Sequence, residues 1–169
     1  MQIQNCITAD VDKILKLYED ARTLQLSKKM VVWPSFEKEF IEREIQNKQQ
    51  WKILIDGEIA CNWSFTFNDQ EIWEDRERGD AIYIHRIATN RNFRGNNFVE
   101  KIVEWAKIFA IENDRKYVRL DTLGNNTGLI EHYTKSGFTF LGIVQLKNTK
   151  NLPMHYQEEP NCCLFEIEI

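Results

Sequence analysis

The segment between Tyr83 and Gly142 holds residues of the types, and in the order, that bind a phosphate group. The run YIHRIATN is typical of a strand and leads through RNFRGNNF into an amphipathic helix predicted over Phe98–Glu112. A helix N-terminus offers unpaired backbone amides and the positive end of the helix dipole, and both attract an anion. Gly95 lets the backbone approach a ligand closely, and Arg94 can add a charge-assisted hydrogen bond. The alternative is an ordinary strand-to-helix turn with a solvated arginine.

The next segment, LDTLGNNTGLIEHYTKSGFTFLG, combines a strand, an asparagine, a short helix that carries a tyrosine, and a further strand. Together the two segments resemble the GNAT superfamily of N-acetyltransferases, which transfer an acyl group from acyl-coenzyme A to an amine. Family members carry R-G-x-G-x-G and later N-x-x-A-x-x-L-Y-x-x-x-G-F. The positions that match at the family spacing are Arg94, Gly95, Asn126, Tyr133, Gly137 and Phe138. These motif matches cover about residues 83–142.

The resemblance implies that acetyl-CoA is the co-substrate, and we expect no metal. The pantetheine arm would pair with the backbone of Ile87, Ala88 and Thr89. The pyrophosphate would be held by the backbone amides of Arg94, Gly95, Asn96, Asn97, Phe98 and Val99. Asn126 would hydrogen-bond the pantetheine arm, and Tyr133 would protonate the departing thiolate. The alternatives are that Asn126 only caps its helix and that Tyr133 only packs as a half-buried aromatic residue.

Two glycines of the family's phosphate loop are replaced here by Asn97 and Val99, and Leu129 stands at the usual alanine position. Asparagine adopts left-handed backbone angles better than most residues, so Asn97 is a tolerable substitute. Its side-chain oxygen can also cap the following helix and compete with phosphate for an amide. We therefore expect coenzyme A to bind, but more weakly than with glycines at these positions.

An amine with a pKa of about 10 is mostly protonated at neutral pH, so an acetyltransferase must remove a proton before the amine attacks. His85, two residues before Ile87, is the predicted general base because an imidazole pKa near 6.5 suits the task. The alternative is a packed core histidine. The charged segment that follows residue 67 offers Glu71, Glu74, Asp75 and Asp80 as further candidates, although solvated loop charge explains them better. Trp73 in that segment is not easily explained by packing.

Apolar periodicity and turn residues predict the elements that must position these groups. The predicted strands are residues 3–7, 51–55, 58–67, 81–89, 117–123, 139–146 and 162–169. The predicted helices follow an N-cap at Thr8, begin at Pro34, and cover Phe98–Glu112 and Thr127–Lys135. A strand-helix-strand run implies a parallel pair, and the hairpins imply antiparallel neighbours. The predicted fold class is therefore α/β (α+β), with a mixed, mostly antiparallel central sheet, a parallel central strand pair and helices on both faces.

Composition limits the remaining classes of protein. The chain has 169 residues, and 22 Lys and Arg against 26 Asp and Glu give a net charge of −4, which does not favour a nucleic-acid partner. One domain over residues 1–169 is expected, and no apolar run is long enough to span a membrane. The four cysteines and three histidines lack the spacing of a metal site. We expect a cytoplasmic location, and a monomer or homodimer.

The sequence thus predicts an N-acetyltransferase that moves an acetyl group from acetyl-CoA to a primary amine of a small molecule. One alternative is acetylation of a protein N-terminus or lysine. Another is a non-catalytic acyl-CoA-binding module, which the changes at Asn97 and Val99 would favour, whereas Asn126 and Tyr133 favour an enzyme.

Overall fold

The computed structural model describes residues 1–169. Its strands are β1 (Gln2–Asn5), β2 (Gln50–Ile55), β3 (Glu58–Thr66), β4 (Ala81–Thr89), β5 (Tyr117–Leu123), β6 (Thr139–Gln145) and β7 (Asn161–Glu168). Its α-helices are α1 (Val11–Ser27), α2 (Lys38–Gln46), α3 (Gln70–Trp73), α4 (Phe98–Glu112), α5 (Thr127–Lys135) and α6 (Met154–Glu158). None of these helices has the length and apolar character that a membrane span requires.

The seven strands form one sheet in the order β1-β2-β3-β4-β5-β7-β6. β4 and β5 are parallel, while β1 with β2, β2 with β3, β5 with β7 and β6 with β7 are antiparallel. The predicted mixed sheet with a parallel central pair is therefore confirmed. The parallel ladder joins Ala81–Tyr83 to Tyr117–Arg119, and both strands continue beyond it, β4 to Thr89 and β5 to Leu123.

The chain forms two compact units, of which the first comprises Met1–Phe65 and His85–Phe98. The buried residues of its two helices recur every three or four positions, as expected for one face of a helix. They are Val11, Ile14, Leu17 and Tyr18 in α1 and Ile41 and Ile45 in α2. Trp33 and Phe36, from the connection between these helices, pack against this core.

A buried polar network crosses the core of the first unit. The Gln50 Nε2 atom donates to Tyr18 Oη at 3.0 Å and to Glu44 Oε2 at 2.8 Å. Asn62 Nδ2 donates to Gln50 Oε1 at 3.1 Å and to Tyr18 Oη at 3.3 Å. Because buried polar groups that lose a partner are costly, the shared partners fix these side chains in one arrangement.

The second unit comprises Thr66–Ile84 and Val99–Ile169. Trp73 is only 1% exposed in its core and packs on Tyr83 at 5.6 Å between ring centroids. The Arg119 guanidinium lies 4.7 Å from the Trp73 ring, and Arg119 also donates to Tyr83 Oη and to Glu166 Oε2. Packing therefore explains Trp73, contrary to the expectation from the sequence.

Two predicted helix starts were wrong. α2 begins at Lys38 and not at Pro34, because the backbone of Trp33 is held by side chains of α1: Arg22 Nε donates to its carbonyl, and its amide donates to Gln25 Oε1. A single 3₁₀ turn, Thr8–Asp10, precedes α1, so the N-cap of α1 is Asp10 and not Thr8. The short helices α3 and α6 lie in segments for which no helix was predicted.

Candidate active site

The predicted pantetheine-binding residues lie at the end of β4, within the first unit. The Ala88 side chain is buried in the apolar core, whereas Ile87 and Thr89 are half-buried. Thr89 Oγ1 donates to Cys61 Sγ at 3.6 Å. Because the parallel ladder ends at Tyr83, Ile87–Thr89 lie beyond it. This stretch of extended backbone suits an elongated ligand that pairs with a strand.

His85 precedes these residues in β4. Burial, with a smaller contribution from the neighbouring Arg86 charge, lowers the pKa of its imidazole to about 3. The ring is therefore neutral at neutral pH, and a group with so low a pKa is a weak acceptor for the proton of an amine. The role of His85 as general base remains a prediction, and its pKa disfavours that role.

The predicted phosphate loop joins β4 to the N-terminus of α4. Gly95 has φ +87° and Asn97 has φ +48°, so both occupy the left-handed region, as the sequence predicted for Asn97. Successive amides in such a loop can converge on an anion, and the residues from Arg94 to Asn97 are exposed. Phe98 is buried and begins the helix. The loop thus has the backbone conformation and exposure that a pyrophosphate group requires.

Asn126 and Tyr133 lie on the same short helix of the second unit. Asn126 is the N-cap of α5, and its Oδ1 accepts a hydrogen bond from the Leu129 amide at 3.1 Å. This contact is the helix cap that was the alternative role for Asn126. It uses only the side-chain oxygen, so the Nδ2 amide can still donate to a ligand. Tyr133 is half-buried, with its ring centroid 5.3 Å from that of Phe165 and 6.0 Å from that of Phe138.

Two carboxylates lie close together in the second unit. Oxygen atoms of Asp69 and Asp121 lie within 4.8 Å of each other. Tyr156 Oη donates to Asp121 Oδ2 at 3.1 Å, and the buried Cys162 thiol lies 4.0 Å from the same oxygen. Asp69 Oδ2 is buried and has no hydrogen-bond partner. A buried carboxylate without a partner favours either a bound proton or a cationic ligand.

The proton affinities of this pair follow from its surroundings. Burial raises the pKa of Asp69 to about 8, and the charges of Asp121, Glu77 and Glu71 add to this effect. Burial also raises the pKa of Asp121 to about 6, although the Tyr156 hydrogen bond acts in the opposite direction. At neutral pH the pair therefore carries about one shared proton, and an acid of this kind can exchange protons with a substrate.

The sequence analysis did not select Asp121 or Tyr156. Asp121 offered a signal, because a carboxylate interrupts the apolar strand YVRLDTL. Tyr156 offered none, since it lies on the short helix α6, for which no pattern was recognised. Asp69 was read only as part of a charged segment.

Comparison with known proteins agrees with these features. The model of the Acetyltransferase (GNAT) family matches residues 13–138. The chain is 28% identical over 74 residues to the uncharacterized N-acetyltransferase YesJ of Bacillus subtilis, covering 44% of this chain and 41% of that protein. It is 32% identical over 92 residues to streptothricin acetyltransferase from Escherichia coli, covering 52% of each. The matches thus span about half the length of these curated relatives.

The fold is also that of a solved GNAT acetyltransferase from Listeria monocytogenes, with a TM-score of 0.76 at 22% identity over 99% of this chain and 94% of that chain. The sheet topology and the family match are both those of the GNAT acetyltransferases. Since the family model covers most of the sequence, the chain belongs to the GNAT family of acetyltransferases.

Proposed function

We propose that this protein acetylates a cationic primary amine of a small molecule. The observation that carries the proposal is the Asp69–Asp121 pair, which offers negative charge and a buried oxygen without a partner. An ammonium group would supply the missing donor and the opposite charge. The similarity to streptothricin acetyltransferase supports a small-molecule acceptor. The four free thiols support a reducing compartment, and hence a cytoplasmic location.

The residues that would hold acetyl-CoA are those that the family motifs indicate. The backbone of Ile87–Thr89 would bind the pantetheine arm, and the amides of residues 94–99 would bind the pyrophosphate. Asn126 would donate through Nδ2. When bound, acetyl-CoA supplies the acetyl thioester that the amine attacks. The left-handed backbone at Gly95 and Asn97 fits the phosphate role.

Proton transfer then needs a base and an acid. We assign the base to Asp121, because its pKa of about 6 leaves it ionised at neutral pH and still able to accept a proton. The ammonium proton would pass to the Asp121 carboxylate, and the free amine would attack the carbonyl carbon. The Tyr133 hydroxyl would donate a proton to the leaving sulfur, and the second proton, which the nitrogen releases as the amide forms, would restore that hydroxyl. A general base of this kind typically contributes about 10²–10⁴-fold in rate.

The test is a panel of acceptors assayed for release of free coenzyme A thiol. It includes a diamine, the monoacetylated form of that diamine, which keeps one primary amine, an amino acid and a peptide with a free N-terminus. We expect the diamine to be acetylated with the highest kcat/KM. Asp121→Asn should lower kcat/KM for the diamine by about 10²–10⁴-fold, while Asp75→Asn, which removes one exposed charge from the second unit, should retain the rate and the preference. A peptide as the best acceptor would instead indicate a protein acetyltransferase.

A further inference from the structure

Arg86 has an unusual backbone conformation for a residue inside a strand. Its φ is +50°, in the left-handed region, although it lies in the interior of β4. This conformation is unfavourable for a residue other than glycine, and it persists only when the surroundings impose it. The burial pattern of β4 changes at the same place, from four buried residues at 81–84 to three half-buried ones at 85–87. The extended backbone of the strand is thus interrupted at Arg86.

The Arg86 side chain is held by hydrogen bonds and ring contacts within the first unit. Its NH2 group donates to Glu44 Oε1 and, at 2.6 Å, to Ser64 Oγ. The guanidinium carbon lies 5.5 Å from the Phe36 ring centroid and 5.1 Å from that of Phe40. Only 18% of the Arg86 side chain and 10% of the Glu44 side chain are exposed. Two hydrogen bonds and two ring faces therefore fix the guanidinium.

The partners of Arg86 are themselves fixed. Glu44 Oε2 accepts from Gln50 Nε2 at 2.8 Å, so the carboxylate is part of the buried polar network. Ser64 Oγ donates to the His85 carbonyl at 3.5 Å, which ties the hydroxyl to the peptide group next to Arg86. The Arg86 side chain and its partners, which we call the anchor, thus join α2, β3 and the backbone of β4 at one point.

We infer that Arg86 is a positioning residue, whose anchored side chain holds β4 in the left-handed conformation and so aims the peptide groups of Ile87 and the residues that follow. This inference rests on the proposed function, in which those peptide groups bind acetyl-CoA. Arg86 itself needs no contact with either substrate. Its role is to keep the amide next to the reacting carbonyl in one orientation, which matters most in the transition state.

Two substitutions at this position, both of which remove the charge, test whether the side chain acts by imposing the backbone conformation. Arg86→Gly removes the side chain but accepts a positive φ without strain, whereas Arg86→Ala removes the anchor and keeps the strain. We expect kcat per folded molecule to fall about 10-fold or more in Arg86→Ala, and less in Arg86→Gly. The dissociation constant of coenzyme A, measured by calorimetry, should change less than kcat. Equal losses in both variants, or no loss in either, would overturn the inference.

A matched control tests whether loss of any buried ion pair has the same effect. Glu44→Gln removes the negative charge that pairs with Arg86. Asp10→Asn removes the negative charge that pairs with Lys52. This second ion pair is also buried in the first unit but does not involve β4. Both variants should lose stability, and only Glu44→Gln should lower kcat. A similar loss of kcat in Asp10→Asn would assign the effect to stability and overturn the inference.

Hydrogen exchange separates this inference from the proposed function, since it needs neither acceptor nor coenzyme. The amides of residues 85–89 should exchange faster in Arg86→Ala than in Arg86→Gly and the wild type. That result would support the anchor even if the wild type released no thiol, in which case only the proposed function would fail. Unchanged exchange in Arg86→Ala would refute the anchor.

Discussion

The carboxylates of Asp69 and Asp121 bring oxygen atoms within 4.8 Å of each other in the second unit, and only Asp121 has a hydrogen-bonding hydroxyl, from Tyr156. This asymmetry matches their pKa values of about 8 and about 6. The carboxyl with the donor ionises first, and the one without it keeps a proton longer. The pair can therefore hold a proton or an ammonium group. Asp121, which ionises first, can act as the base, while Asp69 keeps its proton.

Stability should fall as the pH rises, because both pKa values are raised above the ordinary value of 3.8. The folded state then binds more protons than the unfolded chain between about pH 4 and pH 8. The stabilisation is complete below the unfolded pKa and is lost as the pH passes 6 and then 8. Urea unfolding should give a lower free energy of unfolding at pH 8 than at pH 5. In Asp69→Asn this difference should be smaller by at least about 1 kcal/mol. An unchanged pH dependence in Asp69→Asn would contradict the raised pKa.

The rate of acetylation should depend on pH through Asp121. The carboxylate must be ionised to accept a proton, so kcat/KM should rise with pH up to about 6 and then level off. Tyr156→Phe removes the donor that stabilises the ionised form, so it should move this limb to higher pH. Asp121→Asn should lower kcat/KM by about 10²–10⁴-fold. A profile that keeps its acidic limb in Asp121→Asn would show that another group is the base, and His85→Ala would then be the next variant.

The sequence predicted the sheet well, since the strands carry their own apolar patterns and the Asp56-Gly57 hairpin and the strand-helix-strand run determine their neighbours. It failed where side chains from distant segments decide the local structure. The backbone at Trp33 is held by Arg22 and Gln25 from α1, and no local pattern reveals that.

In the candidate site, too, local sequence patterns were predictable and contacts between distant segments were not. Motif residues such as Asn126 were found because their spacing within one segment is fixed. The Asp69–Asp121 pair could not be found, because its members lie 52 positions apart in the chain and only folding places them together. The left-handed conformation of Arg86 was equally unpredictable, since it depends on Glu44 and not on the neighbours of Arg86 in β4.

Coenzyme binding should respond to the residue at position 97. Asn97 has φ +48°, so Asn97→Gly keeps the loop conformation, whereas Asn97→Ala adds strain. If the Asn97 oxygen competes with phosphate for a helix amide, calorimetry should show tighter coenzyme A binding in Asn97→Gly than in the wild type. Weaker binding in the glycine variant would mean that the asparagine side chain contacts the phosphate.

Loss of the Tyr133 hydroxyl should affect the chemical step alone. Phenylalanine can keep the ring contacts with Phe138 and Phe165, so Tyr133→Phe should fold normally and bind coenzyme A as the wild type does. We expect kcat to fall about 10-fold or more, since general acid catalysis contributes about 10²–10⁴-fold. An unchanged kcat with a saturating diamine would remove Tyr133 from the mechanism.

The most direct test of the account incubates the wild type and Asp121→Asn with acetyl-CoA and a diamine at pH 7.5, and measures free thiol and acetylated amine together. We predict equal amounts of the two products with the wild type, and at least about 100-fold less of both with Asp121→Asn. Calorimetry should show that the two proteins bind coenzyme A alike. A wild type that shows no binding at millimolar coenzyme A, or releases thiol without acetylated amine, would contradict the account.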